Sequence, residues 1–213
     1  MTVLDAAATV AVKPLFGLGE VGLTVTALLV AAPRLLLSAL RDRGRIFGDF
    51  VALYAACRTQ PLGRYVFRFF SLVSAPYSMS VGPSLDDLHQ TPDGGVYCAA
   101  SMVERPWHRN PFSCIHAAAV TNLGEYTGAV GMLAYMQRAK QRLRGIVGEL
   151  RVVFKRKARG KIVAVCRVPP VKELKAGDKL SVEVPTELFD SKGELVAVVT
   201  AVWDLSLRES RKA

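Results

Sequence analysis

Residues 110–136, NPFSCIHAAAVTNLGEYTGAVGMLAYM, decide how this chain is read. Ala117, Thr121, Gly124, Gly128 and Gly131 recur at steps of four, three, four and three, which places them on one face of a helix. Each internal glycine costs a helix about 1 kcal/mol against alanine, so a ladder of them needs close approach of another backbone. A membrane dimer face carries small residues in the same way. Glu125 beside the ladder and Arg109 just ahead of it argue against a bilayer. The expectation is a helix gripped by a curved sheet.

His116 and Glu125 lie on this helical pattern, nine positions apart. At about 100° and 1.5 Å per residue they differ by roughly two and a half turns and 13.5 Å. They point to opposite sides, too far apart to serve one reacting atom. If both act, each must serve a site completed by another copy of the chain, as a two-fold dimer allows. The leucine, tyrosine and valine around Glu125 (Leu123, Tyr126, Val130) favour a functional carboxylate over a merely solvated one.

The chain has 213 residues and is 51% hydrophobic, enough for one good core plus an extension. Four scattered cysteines with no CxxC pair, and three histidines, argue against a disulfide framework or a metal site and for a reducing compartment. The net charge of +10 is concentrated: between Arg138 and Lys161 ten basic residues face one acid, Glu149. Such a patch suits a phosphorylated cofactor, a nucleic acid or an anionic membrane, and a solvated basic hairpin would look the same.

Residues 1–60 read as a helical extension that faces a membrane or a partner, and 61–213 as the main domain. Residues 15–40 are apolar but broken by Pro33 and Arg34, which suits a helix buried in a partner or lying on a membrane better than a span. A weak presequence pattern in residues 1–20 and a pI of about 9.7 lean towards a mitochondrial location, otherwise a cytoplasmic one. Two amphipathic helices follow, one over Ile46 to Cys57 and one over Leu62 to Val73. From Met79 the period changes to that of strands: Met79–Leu88 and Val96–Val103 flank one turn. Beyond the helix, Gly145–Phe154 and Lys161–Val168 flank the turn at 157–160. Lys179–Phe189 and Leu195–Leu205 flank the turn at 190–193. Two strands, one long helix and four strands make an α+β domain, an antiparallel six-stranded sheet around one central helix.

In this layout an asparagine, a loop ending in a histidine and an acid nine positions beyond it (Asn110, His116-Ala117-Ala118, Glu125) resemble the hotdog-fold thioesterases. The nearest pattern is that of the PaaI-like acyl-CoA thioesterases and their DUF4442 relatives, over about residues 65–207. The resemblance implies a hotdog fold and acyl-CoA hydrolysis at a site shared by two protomers. Glu125 would activate water or attack directly. Asn110 and His116, with helix N-terminal amides near Ala117 and Ala118, would hold the thioester carbonyl. Ala117 and Ala118 stand where the family usually has glycine. The basic residues Lys155, Arg156, Lys157 and Arg159 would meet the phosphates of coenzyme A. No cofactor is implied beyond the coenzyme A of the substrate. The implied assembly is a homo-oligomer, a dimer or dimer of dimers, or a subunit of a larger complex with possible peripheral membrane contact through residues 15–40. A catalytically inactive structural subunit is the alternative. Nothing in the sequence resembles an RNA-binding aromatic motif or a helix-turn-helix, which argues against a nucleic-acid partner.

Overall fold

The computed structural model describes residues 49–60 and 62–208. Residues 1–48 of the expected 1–60 extension, including the apolar stretch 15–40, therefore lie outside the described residues, and no helix among those described is long and apolar enough to cross a membrane. Helices α1 (Phe50–Arg58) and α2 (Gly63–Ser74) come first. Strands β1 (Ser84–Gln90) and β2 (Val96–Val103) precede the long helix α3 (Ala117–Arg138). Strands β3 (Leu143–Phe154), β4 (Lys161–Val168), β5 (Lys179–Phe189) and β6 (Leu195–Leu207) complete the chain. All six strands join one antiparallel sheet in the order β1-β2-β4-β5-β6-β3. The sheet packs against α3, which is the expected hotdog architecture.

The glycine ladder meets the sheet where its spacing says it should. A methyl group on Gly124 would lie 2.5 Å from Val199 Cγ2, one on Gly128 3.1 Å from Thr186 Oγ1, and one on Gly131 3.1 Å from Val168 Cγ2. The three contacts fall on β6, β5 and β4 in turn, so α3 crosses the sheet diagonally with its backbone against the side chains. The ladder's first two members behave differently: Ala117 is exposed and Thr121 half-buried, because the first turns of α3 are packed through Ala119, Val120 and Leu123 instead. Gly124→Ala is expected to lower stability by about 1–3 kcal/mol, because overpacking against Val199 outweighs alanine's better helix propensity. The midpoint of a denaturant titration measures it.

Two strand assignments change. Residues 78–81 form a 3-10 turn closed by Gly82 at φ +61°, so β1 starts at Ser84 rather than Met79. More consequentially, Gly145–Phe154 and Lys161–Val168 do not form a hairpin. Strand β3 pairs only with β6, whereas β4 lies between β2 and β5. The basic segment 155–160 is thus a crossover from the sheet's edge to its interior. It is tied to β6 by Lys155 and Arg156, whose N–H groups both donate to the Val196 carbonyl. Strand β6 buries one face completely (Val196 and Ala197 through Leu205), while Val198, Thr200 and Val202 on the other are half-buried. Trp203 joins the core, but Trp107 is largely exposed.

Helix α1 is fastened rather than appended. Its N-cap Asp49 accepts hydrogen bonds from the Val51 and Ala52 N–H groups and pairs with Arg138 Nε at 2.9 Å. The Phe50 N–H donates to Gln137 Oε1 at 2.7 Å, and the Tyr54 hydroxyl donates to the Asp86 carbonyl. Val51, Leu53, Tyr54 and Cys57 are buried in one cluster with α2, Met132 and Tyr135.

Candidate active site

The loop before α3 is built by its own polar groups. Asn110 Oδ1 accepts from the Phe112 N–H at 2.9 Å and, more loosely, from the Cys114 N–H at 3.4 Å. Asn110 N–H donates to the Cys114 carbonyl, and a bridge joins Arg109 to Ile115. Ser113 takes φ +55°, a left-handed conformation in which glycine is free of strain. Here the departure from the glycine-rich pattern has a local consequence: a serine occupies the bend. Asn110 therefore turns most of its carboxamide onto its own loop. Its Nδ2 is 3.3 Å from Cys114 Sγ.

His116 is the N-cap of α3, with Nδ1 accepting from the Ala118 N–H at 3.0 Å. With Nδ1 as acceptor, the neutral ring carries its proton on Nε2 and presents a donor to solvent. Ala117 and Ala118 are exposed, so their methyl groups do not crowd the loop. The Ala117 N–H has no partner among the described residues. A free N–H and an Nε2–H donor thus lie together at the positive end of a 22-residue helix.

The crossover clasps this loop from below. Ile115 N–H donates to the Ala158 carbonyl, and Arg159 Nε donates to the Ser113 carbonyl at 3.0 Å. Glu104, which sequence reading passed over, is the clasp. One carboxylate oxygen accepts from Gly160 N–H and the other from Arg109 Nε, both at 2.6 Å. The Gly160 hydrogen bond and then Arg109 hold its carboxyl below the usual range. A lone glutamate at a strand end carries no pattern that would have marked it.

Between loop and crossover opens a cleft of about 360 Å³ lined by Asn110, Phe112, Ala117, Lys155, Arg156 and Lys157, among others. Arg156 is paired with Glu194 and Arg159 with the loop carbonyl. Lys155 and Lys157 are exposed and meet no carboxylate among the described residues.

Glu125 is elsewhere. It lies in a separate cavity of about 200 Å³ on the other side of α3, lined by Phe50, Leu53, Phe67, Phe70, Ala129 and Leu133 with a few serines. The two cavities share no residue. Burial pushes the Glu125 carboxyl above its ordinary range, and no hydrogen bond or ion pair offsets this among the described residues. Its neighbour Tyr126 is pushed up to about 12, first by burial, and donates to Ser71 Oγ at 3.3 Å, so it stays neutral. The cavity's wall is mostly apolar, with three serines and one carboxylate. Among the described residues no cluster of His, Cys, Asp and Glu could hold a metal ion.

One copy of the chain thus brings Asn110, His116, Ala117, Ala118, Lys155, Arg156, Lys157 and Arg159 to one end of α3 and leaves Glu125 alone. The open edge of the sheet lies beside them. After a bulge between Val147 and Glu149, Val152 faces the inner cluster; Leu150 and Phe154 share its face yet are 41% and 48% exposed. Ile146 and Val153 on the outer face are exposed as well.

A long central helix held by a six-stranded antiparallel sheet, with a histidine N-cap and a half-buried helical carboxylate, defines a hotdog-fold protein. The chain belongs to the DUF4442 family, a domain of unknown function whose model matches residues 63–205. Solved structures agree on the fold. A Pseudomonas aeruginosa protein of unknown function, described as a probable thioesterase, superposes with a TM-score of 0.53 at 21% identity over 66% of this chain and 93% of its own. A variant of another Pseudomonas aeruginosa thioesterase gives 0.51 at 15% identity over 66% and 92%. A Haemophilus influenzae thioesterase gives 0.50 at 14% identity over 68% and 92%. Comparison with curated proteins found no match.

Proposed function

We propose that the protein is a dimeric acyl-CoA thioesterase whose site combines Glu125 of one protomer with the loop and helix N-terminus of the other. The observation that carries the proposal is the desolvated, unpaired Glu125 carboxylate in an apolar cavity, separated from the donor-rich helix end that its chemistry needs. The open β3 edge supports the dimer. An exposed strand of 12 residues with apolar side chains on both faces is a template for pairing with its own copy. Two-fold pairing there would set one α3 beside the other.

In this reading the acyl chain enters the apolar cavity and the thioester carbonyl faces the partner's helix N-terminus. Glu125, ionised, takes a proton from water, and the water oxygen adds to the carbonyl carbon. Negative charge gathers on the carbonyl oxygen. His116 Nε2–H and the Ala117 N–H, aided by the helix dipole, stabilise it. The carbon–sulfur bond then breaks, the thiolate of coenzyme A receives the proton held by Glu125, and the carboxylic acid leaves. Direct attack by the carboxylate, giving a mixed anhydride that water cleaves, uses the same residues. Asn110 keeps the loop in shape and offers its remaining Nδ2 hydrogen to the carbonyl.

The exposed ammonium groups of Lys155 and Lys157 suit the phosphates of coenzyme A. A panel of acyl-CoA thioesters and the matching pantetheine thioesters, which lack the nucleotide, tests the substrate class. Lys155→Ala and Lys157→Ala are expected to raise KM for the acyl-CoA substrates about fivefold each, the upper range for an exposed charge pair. They should leave the pantetheine substrates unchanged, and added salt should narrow the difference. Absence of turnover on every thioester by the folded wild-type protein would sink the proposal.

A further inference from the structure

We infer that α1, which precedes the segment matched by the family model, is the fixed wall that sets the longest acyl chain the Glu125 cavity accepts. The inference rests on the reading of that cavity as the acyl site. Family resemblance begins at residue 63, so Phe50 and Leu53 come from a part of this chain that the family pattern does not contain.

The cavity's lining joins polar groups, Glu125, Ser71, Ser74 and Ser78, to apolar ones, among them Phe50, Leu53, Ala129 and Leu133. Glu125, Ala129 and Leu133 stand four residues apart and share one stripe of α3, so the cavity runs along the helix towards its C-terminus. Phe50 closes that end, because its N–H is bonded to Gln137, one turn beyond Leu133. Eight residues of helix span roughly 12 Å. An extended chain advances roughly 1.2 Å per bond, so a chain with its carbonyl at Glu125 reaches Phe50 after roughly ten carbons.

The wall is rigid for reasons already described. Asp49 holds Arg138, Phe50 holds Gln137 and Tyr54 holds Asp86, while Leu53 and Cys57 are buried against α2 and α3. A longer chain must therefore break these contacts or bend out past exposed Leu133. Tyr54 of α1 packs edge to face on Phe67 of α2, with centroids 5.6 Å apart, which joins the two helices beside the cavity. Phe50 itself is only half-buried, so its side chain can be changed without emptying the core.

The test compares wild type, Phe50→Ala and Phe50→Trp on acyl-CoA thioesters from butyryl to palmitoyl. Folding is checked by thermal melts. Wild-type kcat/KM should rise with chain length and fall beyond roughly ten carbons. Phe50→Ala should raise the ratio of lauroyl to hexanoyl turnover by about tenfold or more, and Phe50→Trp should lower it, on the scale of one to two methylenes of pocket. Two folded variants with the wild-type chain-length profile would overturn the wall. If no thioester is hydrolysed, the thioesterase reading fails separately, and binding of S-alkyl-CoA thioethers, butyl to hexadecyl, still decides. The same shift in length preference between variants supports the wall, and identical length dependence in all three rejects it.

Discussion

Glu125→Gln is expected to lower kcat for acyl-CoA hydrolysis by roughly 10² to 10⁴-fold, the range lost with a general base, while leaving the fold intact. The glutamine keeps the shape of the side chain and removes only its ability to accept a proton. Thioester binding should survive, because Glu125 is the only charged residue in the cavity's lining and the rest is apolar side chains, three serines and a tyrosine. The variant is also expected to be more stable than wild type near neutral pH. Burial raises the carboxyl's pKa above its unfolded value, so the folded protein holds that proton more tightly than the unfolded chain does. Stability from this group is complete below the unfolded pKa and is lost as pH rises through the raised folded pKa. At neutral pH wild type carries the cost of an ionised, desolvated carboxylate, and the glutamine does not. A gain of roughly 1–3 °C in melting temperature is the expected scale. It should vanish at acid pH, where Glu125 is protonated.

Activity moves the other way with pH. A general base works only when ionised, so wild-type kcat/KM should fall on the acid side, with a midpoint above the ordinary carboxylate range. Opposite pH trends of activity and stability from one residue are the signature of a carboxylate kept where its chemistry, not the fold, requires it. A Glu125→Gln protein with wild-type turnover would remove Glu125 from the mechanism. One with unchanged melting at all pH values would show that the carboxylate is hydrated in solution.

Much of this fold was legible because glycine is costly in a helix. Gly124, Gly128 and Gly131 could be read from spacing alone as a face pressed on a sheet, and each meets a different strand. Period-two alternation, with Val182 and Val184 set against Ser181 and Glu183, marked β5 for the same kind of reason: the pattern itself states which face is buried. Strand order was not legible. The turn residues at 157–160 look like a hairpin, and Gly160 does adopt φ +68°. Yet nothing local says that β3 will leave its neighbour in sequence and pair with β6 at the edge. That choice belongs to tertiary packing, and it converts a basic hairpin into the floor of the loop before α3. The opposite-face relation of His116 and Glu125 followed from helix geometry; in the fold His116 caps α3 while Glu125 lines a cavity that shares no residue with the cleft beside the loop. What surrounds Glu125 did not follow. Phe50, Leu53 and Phe70 show helical periodicity in the sequence, whereas Phe67 lies off that pattern, and periodicity names a buried face without naming what it buries against.

Mixing two inactive variants is expected to restore activity if the site is shared between protomers. Glu125→Gln lacks the base, and His116→Ala lacks one donor at the helix N-terminus, a loss on the order of 10²-fold. In a hybrid dimer one site carries both defects, while the other combines Glu125 of one chain with His116 of its partner and is whole. Random pairing of equal amounts makes half the dimers hybrids, so about a quarter of wild-type activity should return. A site contained within one chain predicts no recovery, since every chain in the mixture is defective. The same geometry makes the edge strand indispensable. Leu150 and Val153 are exposed on β3, on opposite faces of the strand. Replacing both with lysine puts like charges directly across a two-fold β3–β3 pairing, which disfavours it. Sedimentation should then report a monomer with the wild-type circular dichroism, and hydrolysis should be lost although Glu125, His116 and both cavities are untouched. A lysine-substituted monomer that still turned over thioester would put the whole site on one chain, against the roughly 13.5 Å and half-turn offset that separate its two ionisable residues along α3.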